Sequence, residues 1–203
     1  MPHRVLYAHP LSANCHRVRL ALSWLSLPYV ESFVDLASGA QRAPEHLARD
    51  PLGKVPVLVD GEHTIQQSHL IAAYLARRYD ERGPLLGAAP EDEARIARWA
   101  FFDVEWLHPG IGRARNQVRF GIPVDLDAAL RRASRALAVL EAHLSTRTWL
   151  ELERPTLAEL SCFPLVDVVE EASLDLASYP HVAGWRARVR ELPGFVEMVG
   201  RAK

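Results

Sequence analysis

Asp50-Pro51-Leu52-Gly53-Lys54-Val55-Pro56-Val57-Leu58 decides how the chain reads. Pro51 and Gly53 punctuate a loop. Val57, Leu58 and Val59 are β-branched or apolar and suit a buried strand. Pro56 has no N–H to give to a ladder, so it belongs at the strand's start or edge. An X–Pro bond is also the place where a cis peptide costs little, roughly 0.5–1 kcal/mol. A cis Val55-Pro56 bond would turn the Val55 N–H and C=O away from the sheet, leaving them to pair with a peptide ligand. Taken alone, the stretch is equally an ordinary loop-to-strand junction.

Working outward, Arg4 to Ala8 reads as a short strand closed by Pro10 and Ser12. A helix pattern starts at Asn14, with Val18, Ala21, Leu22 and Leu25 on one face, and stops at Pro28. Tyr29 to Val34 reads as a second strand, so the chain opens β-α-β. Asp35 to Asp50 is polar, with a short helix after Pro44. Val57–Val59 and His63–Ile65 form a hairpin around Asp60-Gly61. Leu70, Ile71, Tyr74, Leu75 and Tyr79 mark the next helix, which completes an α/β layer by residue 80.

Gly83, Pro84, Gly87 and Pro90 mark residues 81–89 as a linker. After it the strand signals fade. Pro90 with Glu91, Asp92 and Glu93 is a helix start, followed by Ile96, Trp99, Asp103, Trp106 and Leu107 at helical spacing. His108-Pro109-Gly110-Ile111-Gly112 predicts a kink or break. Further helices are expected over Asp125–Leu144, after the Thr156–Glu159 capping box, over Val182–Leu192, and at the chain end beyond Pro193-Gly194. The expected organisation is an α/β domain over 1–80 and an all-helical domain over 90–203.

The 203 residues are 49% hydrophobic and carry a net charge of −1. That supports a substantial core and gives no argument for nucleic acid or an anionic membrane. No apolar run is long enough to span a bilayer. Met1-Pro2-His3-Arg4 leads into a strand-like run rather than a signal peptide. Two cysteines, Cys15 and Cys162, make no disulfide framework and fit a reducing, cytoplasmic setting. His9 and His16 have no partners at metal-ligand spacing, so no metal is expected.

Four stretches in order resemble the glutathione transferases. They are Leu11-Ser12-Ala13-Asn14-Cys15-His16-Arg17-Val18-Arg19, the Lys54-Val55-Pro56 loop, Gln67-Ser68-His69-Leu70-Ile71-Ala72-Ala73-Tyr74-Leu75, and Arg154-Pro155-Thr156-Leu157-Ala158-Glu159. The resemblance spans nearly the whole chain and is strongest to theta-like and bacterial, serine-type members. It implies a thioredoxin-like α/β domain followed by an all-α domain. It implies an enzyme that uses glutathione as co-substrate, activating its thiol for attack on a small electrophile, with detoxification as the setting. It also implies a homodimer whose partners are small molecules, not nucleic acid or membrane.

Residue by residue, the resemblance assigns Ser12 as the donor that stabilises the thiolate, against the plain reading of an N-cap. Only the thiolate is a good nucleophile, and a hydroxyl donor with the positive end of a helix favours it. Val55, Pro56, Gln67 and Ser68 are assigned to glutathione binding. So are Gln41 and Lys54, near the glycine carboxylate, with Arg42 as a neighbour that reads as solvated. Gln67 departs from the glutamate common at its position: it keeps hydrogen bonding and loses the charge. Phe102, Trp106 and Ile111 are the candidate second-substrate pocket, and Arg113, Arg115 and Arg119 are cations that would favour an anionic electrophile.

Two competing functions remain. Cys15 sits at the second position of a Ser-x-x-Cys stretch, where thioredoxin-like oxidoreductases carry Cys-x-x-Cys, and would support a thiol-disulfide reductase. Its plainer reading is a buried thiol that packs as a small hydrophobe. The other competitor is a non-catalytic glutathione-binding or regulatory protein of the same fold.

Overall fold

The computed structural model describes residues 4–81, 83 and 85–200. Met1, Pro2, His3, Arg82 and Pro84 of the linker, and the last three residues lie outside that set. The described chain forms two compact units, residues 4–81 with 193–200, and residues 83–192 apart from 84.

The first unit contains β1 (Arg4–Ala8), α1 (Ala13–Trp24), β2 (Val30–Phe33), a 3₁₀ turn (Ala40–Arg42), α2 (Pro44–Leu47), β3 (Val57–Asp60), β4 (His63–Gln66) and α3 (Ser68–Tyr79). The sheet order is β2-β1-β3-β4. β1 pairs parallel with β2 and antiparallel with β3, and β3 pairs antiparallel with β4. This is the thioredoxin-like arrangement. α1 packs along α3, burying Val18, Ala21, Leu22, Ile71 and Leu75 with Leu6, Ala8, Val57 and Leu58 of the sheet. The hairpin turn is Gly61-Glu62, with Gly61 at φ +60 and Asp60 paired with His63.

Asp60 therefore lies inside β3 rather than in the turn, and it is buried. Its carboxylate accepts from the Tyr79 hydroxyl at 2.6 Å and the Tyr74 hydroxyl at 3.1 Å. Arg4 approaches it to 3.3 Å. Burial, reinforced by Asp60, pushes the Tyr74 hydroxyl up to about 12, so it stays a donor. This cluster ties the end of α3 to β3.

The second unit is helical: α4 (Pro90–Phe102), a π-helical stretch (Asp103–Gly112), α5 (Arg113–Phe120), α6 (Leu126–Leu144), α7 (Leu157–Val166), a 3₁₀ turn (Val169–Ala172) and α8 (Pro180–Arg190). α7 is buried along its whole length. The Thr156–Glu159 capping box is formed. Thr156 N–H donates to Glu159 at 2.7 Å, and so does Leu150 N–H at 2.7 Å.

Two sequence expectations are corrected here. The chain does not break at His108–Gly112; it continues as helix from Pro90 to Phe120 with wider turns from Asp103 to Gly112. Proline costs an α-helix one hydrogen bond and clashes with the preceding turn, and a π-type turn absorbs both effects without ending the helix. Nor do the described residues after Pro193-Gly194 form a helix: residues 195–200 are irregular. That tail packs on the α/β unit instead. Met198 is buried, and a Cβ on Gly194 or Gly200 would meet Ser23 or Leu11 at 3.1 or 2.7 Å.

Candidate active site

Sheet register brings the sequence motifs of the first unit to one edge. Tyr7 at the C-terminal end of β1 lies opposite Val57 at the start of β3. Val57 in turn lies opposite Gln66 at the end of β4. Ala8 pairs with Phe33 at the end of β2. The segments that leave β1 toward Ser12, enter β3 through Lys54-Val55-Pro56, leave β4 into Gln67-Ser68, and leave β2 toward Gln41 therefore all start from the same end of the sheet.

Ser12 is the N-cap of α1, with extended backbone, and its Oγ accepts from the Cys15 N–H at 3.3 Å. A serine hydroxyl has two acceptor lone pairs and one proton. Capping uses a lone pair, so the proton remains able to donate. The plain and functional readings of Ser12 are thus chemically compatible.

Cys15 is fully buried. Its sulfur accepts from the His9 N–H at 3.4 Å. Burial pushes the thiol above its ordinary value, and the Ser12 hydrogen bond only partly offsets this. Such a thiol is protonated and shielded at neutral pH. Cys162, the other cysteine, is buried in the helical unit.

The Val55-Pro56 peptide is cis. Val55 lies outside β3, and neither its N–H nor its C=O has a hydrogen-bond partner among the described residues. The loop before it is held by two residues to which the sequence reading gave no role. Asp50, buried, accepts from the Lys54 N–H at 2.6 Å, and His46 Nε2 donates to the Lys54 carbonyl at 2.8 Å. The Lys54 backbone is thereby fixed while its side chain is exposed. Gly53, at φ +61, passes so close to the Gln41 carbonyl that a Cβ would lie 2.9 Å from it. The Gln41 side-chain oxygen is buried with no hydrogen-bond partner, an acceptor left for a donor.

Gln67 stands at the N-terminus of α3 with φ +65 and ψ 112. Positive φ in a residue other than glycine costs of order 1–3 kcal/mol and concentrates at functional sites. Its side chain is exposed and makes no capping bond. Ser68 behind it is buried, and its hydroxyl accepts from Arg17 at 2.6 Å. The same Arg17 nitrogen donates to Asn14 Oδ1 at 2.7 Å. Arg17 has no exposed surface. Sequence reasoning passed over Asn14 and Arg17; the available signal was a cation next to Val18, on the buried side of α1.

The second-substrate candidates lie in the helical unit. Phe102 is half-buried and packs edge-on against Trp99, ring centroids 5.3 Å apart. Trp106 is half-buried, with Arg132 and Arg135 over its ring. Ile111 has no exposed surface. Arg115 and Arg119 are engaged by one carboxylate, Glu171, at 2.6 and 2.7 Å. Burial is the main cause lowering the Arg115 pKa, and Glu171 opposes it. Arg113 alone of the three named arginines remains exposed. Among the described residues no group of three or more His, Cys, Asp or Glu side chains could hold a metal ion. No described helix is long and apolar enough to cross a membrane.

Residues 6–83 match the family described as glutathione S-transferase, N-terminal domain, and residues 124–193 match glutathione S-transferase, C-terminal domain. Glutathione S-transferase F10 of Arabidopsis thaliana is 31% identical over 205 residues, 95% of this chain and 94% of the relative. The chain belongs to the glutathione transferase family. Members of this family are enzymes that take glutathione as co-substrate. Another relative is the disulfide-bond oxidoreductase YfcG of Escherichia coli, 31% identical and covering 93% of this chain and 90% of the relative. Among solved structures, a possible glutathione S-transferase from Rhodopseudomonas palustris superposes with a TM-score of 0.90 at 32% identity. It covers 97% of this glutathione transferase chain and 98% of its own.

Proposed function

We propose that the chain is a serine-type glutathione transferase that activates the glutathione thiol for attack on a small electrophile. The observation that carries this reading is the convergence, at one sheet end, of a capping serine, the unpartnered Val55 backbone and the strained Gln67 at a helix N-terminus. Glutathione lies extended and pairs with the Val55 N–H and C=O as an added strand. Its γ-glutamyl carboxylate sits at the start of α3, where N–H groups lack intrahelical partners and the dipole favours an anion. Gln67 and Ser68 orient it there. Gln41 and Lys54 serve the glycine end. Ser12 donates a hydrogen bond to the sulfur and so stabilises the thiolate left when the thiol proton passes to solvent. The electrophile is taken by the helical unit, residues 90–192, with half-buried Phe102 and Trp106 contributing to its pocket, while Ile111, which has no exposed surface, serves only as packing.

The protein acts as a cytoplasmic homodimer of the bacterial type, in a detoxification role. Exposed Leu70 on α3, and Phe101 and Val104 three residues apart on the α4 side, are apolar surfaces a partner copy would cover.

A thiol-disulfide reductase is the second reading, favoured by the E. coli relative. The burial of Cys15 and its raised pKa count against it. The test is turnover of one electrophile by Ser12→Ala and Cys15→Ala, both checked for folding. A rate loss of roughly ten- to a hundredfold in the serine variant, with near-wild-type rate in the cysteine variant, supports the proposal. It matches a lost hydrogen bond to a charged group of about 1.5–3 kcal/mol. The reverse pattern transfers the function to Cys15.

A further inference from the structure

The turn that delivers Ser12 is held from inside the α/β unit. His9-Pro10-Leu11-Ser12 closes as a β-turn, the Ser12 N–H donating to the His9 carbonyl at 3.2 Å, with proline at the position that suits its fixed φ. His9 Nδ1 accepts from the Leu11 N–H at 3.2 Å. Two carbonyls of the turn face one buried cation. Arg19 donates through Nη2 to the His9 carbonyl at 3.3 Å and through Nη1 to the Pro10 carbonyl at 3.4 Å. It stands in the second turn of α1. Long side chains on a helix lean toward its N-terminus, which brings the guanidinium back to the turn.

Arg19 is itself locked. Its Nε and Nη2 donate to the two oxygens of Glu31 at 2.8 and 2.6 Å, a bidentate fork that fixes the guanidinium plane. Glu31 lies in β2, opposite Leu6 of β1, and 33% of its side chain is exposed. The carboxylate offsets the penalty of burying the cation. One guanidinium thus ties α1, β2 and the turn between β1 and α1. A lysine would carry the same charge without the fork. Neither Arg19 nor Glu31 is among the glutathione contacts proposed above.

We infer that Arg19, oriented by Glu31, is a positioning residue for Ser12: by pinning the His9 and Pro10 carbonyls it sets where the Ser12 hydroxyl meets the glutathione sulfur. The inference rests on the serine reading and adds to it the brace on which that hydroxyl depends. A misplacement of about 1 Å can cost on the order of a hundredfold in rate, so a loosened turn should be felt in turnover. The sign of one shift separates position from charge. Removing the Glu31 charge, acting through space alone, favours a nearby thiolate and lowers the thiol pKa. Loosening the fork lets the turn drift from the sulfur and raises it.

The test is the pKa of the thiol of bound glutathione, read from ultraviolet thiolate absorbance at saturation. Wild type is compared with Glu31→Gln, Arg19→Lys, Ser12→Ala and Ser12→Ala/Glu31→Gln, each checked for folding by circular dichroism. Glu31 is partly exposed, so its variant should fold even where a lysine at buried position 19 does not. The expected result is a rise of at least about 0.5 unit in Glu31→Gln and in Arg19→Lys. Turnover should fall at least about threefold, with KM for glutathione within about twofold of wild type. Ser12→Ala should also rise, and the double variant no further than Ser12→Ala. A fall or no change in Glu31→Gln overturns the inference, and so does a further rise in the double variant. A wild-type thiol pKa in Arg19→Lys shows that charge suffices without the fork and overturns it as well. A rise in Ser12→Ala with Glu31→Gln unmoved removes the brace and keeps the serine reading. No rise in Ser12→Ala removes the serine reading and this inference with it.

Discussion

Ser12 has two jobs in this account, and single substitutions can separate them. Its lone pair caps α1 at the Cys15 N–H, and its proton is held for the glutathione sulfur. Aspartate caps helices as well as serine does, but it brings a negative charge next to a nascent thiolate and disfavours it. Ser12→Asp should therefore keep thermal stability within about 0.5 kcal/mol of wild type and lose most of its turnover. A calorimetric melt beside a rate assay reads both, and retained activity would show that no thiolate forms next to residue 12. Cys15 is the complementary case. Its raised pKa and full burial keep it a protonated core thiol, and iodoacetamide at neutral pH should label it only after denaturation. Fast labelling of the folded chain at Cys15 would give the reductase reading the nucleophile it needs.

At the scale of elements, α7 depends on a carboxylate with no exposed surface. Glu159 accepts from the Thr156 N–H and hydroxyl and from the Leu150 N–H. Glu159→Ala orphans those donors and should cost about 1–3 kcal/mol for each left buried, read as a lower urea midpoint. Burial pushes this carboxyl above its ordinary range despite the bonds it accepts. Its folded pKa thus exceeds its unfolded one. Its contribution is complete below the ordinary glutamate range and falls as pH rises through the folded value. Wild type should therefore lose stability relative to Glu159→Gln over that rise, and a constant difference across the window would contradict the shift. The capping box was legible because it is local: Thr and Glu three apart ahead of an apolar run. The hairpin and the βαβ opening were legible for the same reason. The π-helical passage through Pro109 was not: it lies where α6 comes backbone-close at Gly110, a contact no local pattern encodes. Arg17 was missed on the same ground. Its partner Ser68 lies in another helix, and a charged residue on a buried face says that a partner exists without saying where.

At the scale of the molecule, the proposed function gives the thiol to the α/β unit and its acceptor to the helical unit. The Glu171 carboxylate that gathers Arg115 and Arg119 stiffens the second unit. Removing it with Glu171→Ala should destabilise by about 3–5 kcal/mol, since it takes the carboxylate from buried Arg115 and half-buried Arg119; chemical denaturation gives the value. Exposed Leu70, Phe101 and Val104 suit a two-fold dimer. Sedimentation at micromolar concentration should show twice the chain mass, and a monomer would remove the dimer from the account. The central claim, that Ser12 holds glutathione as its thiolate, is tested most directly by the pKa of the bound thiol. It is read from ultraviolet thiolate absorbance across a pH titration of saturated wild type and Ser12→Ala. A hydrogen bond of about 1.5–3 kcal/mol to the charged form corresponds to roughly one to two pKa units. Wild type should show a value below the ordinary thiol value of about 8.5, with a rise of that size in the variant. The same pKa in both proteins, with glutathione bound, would contradict it.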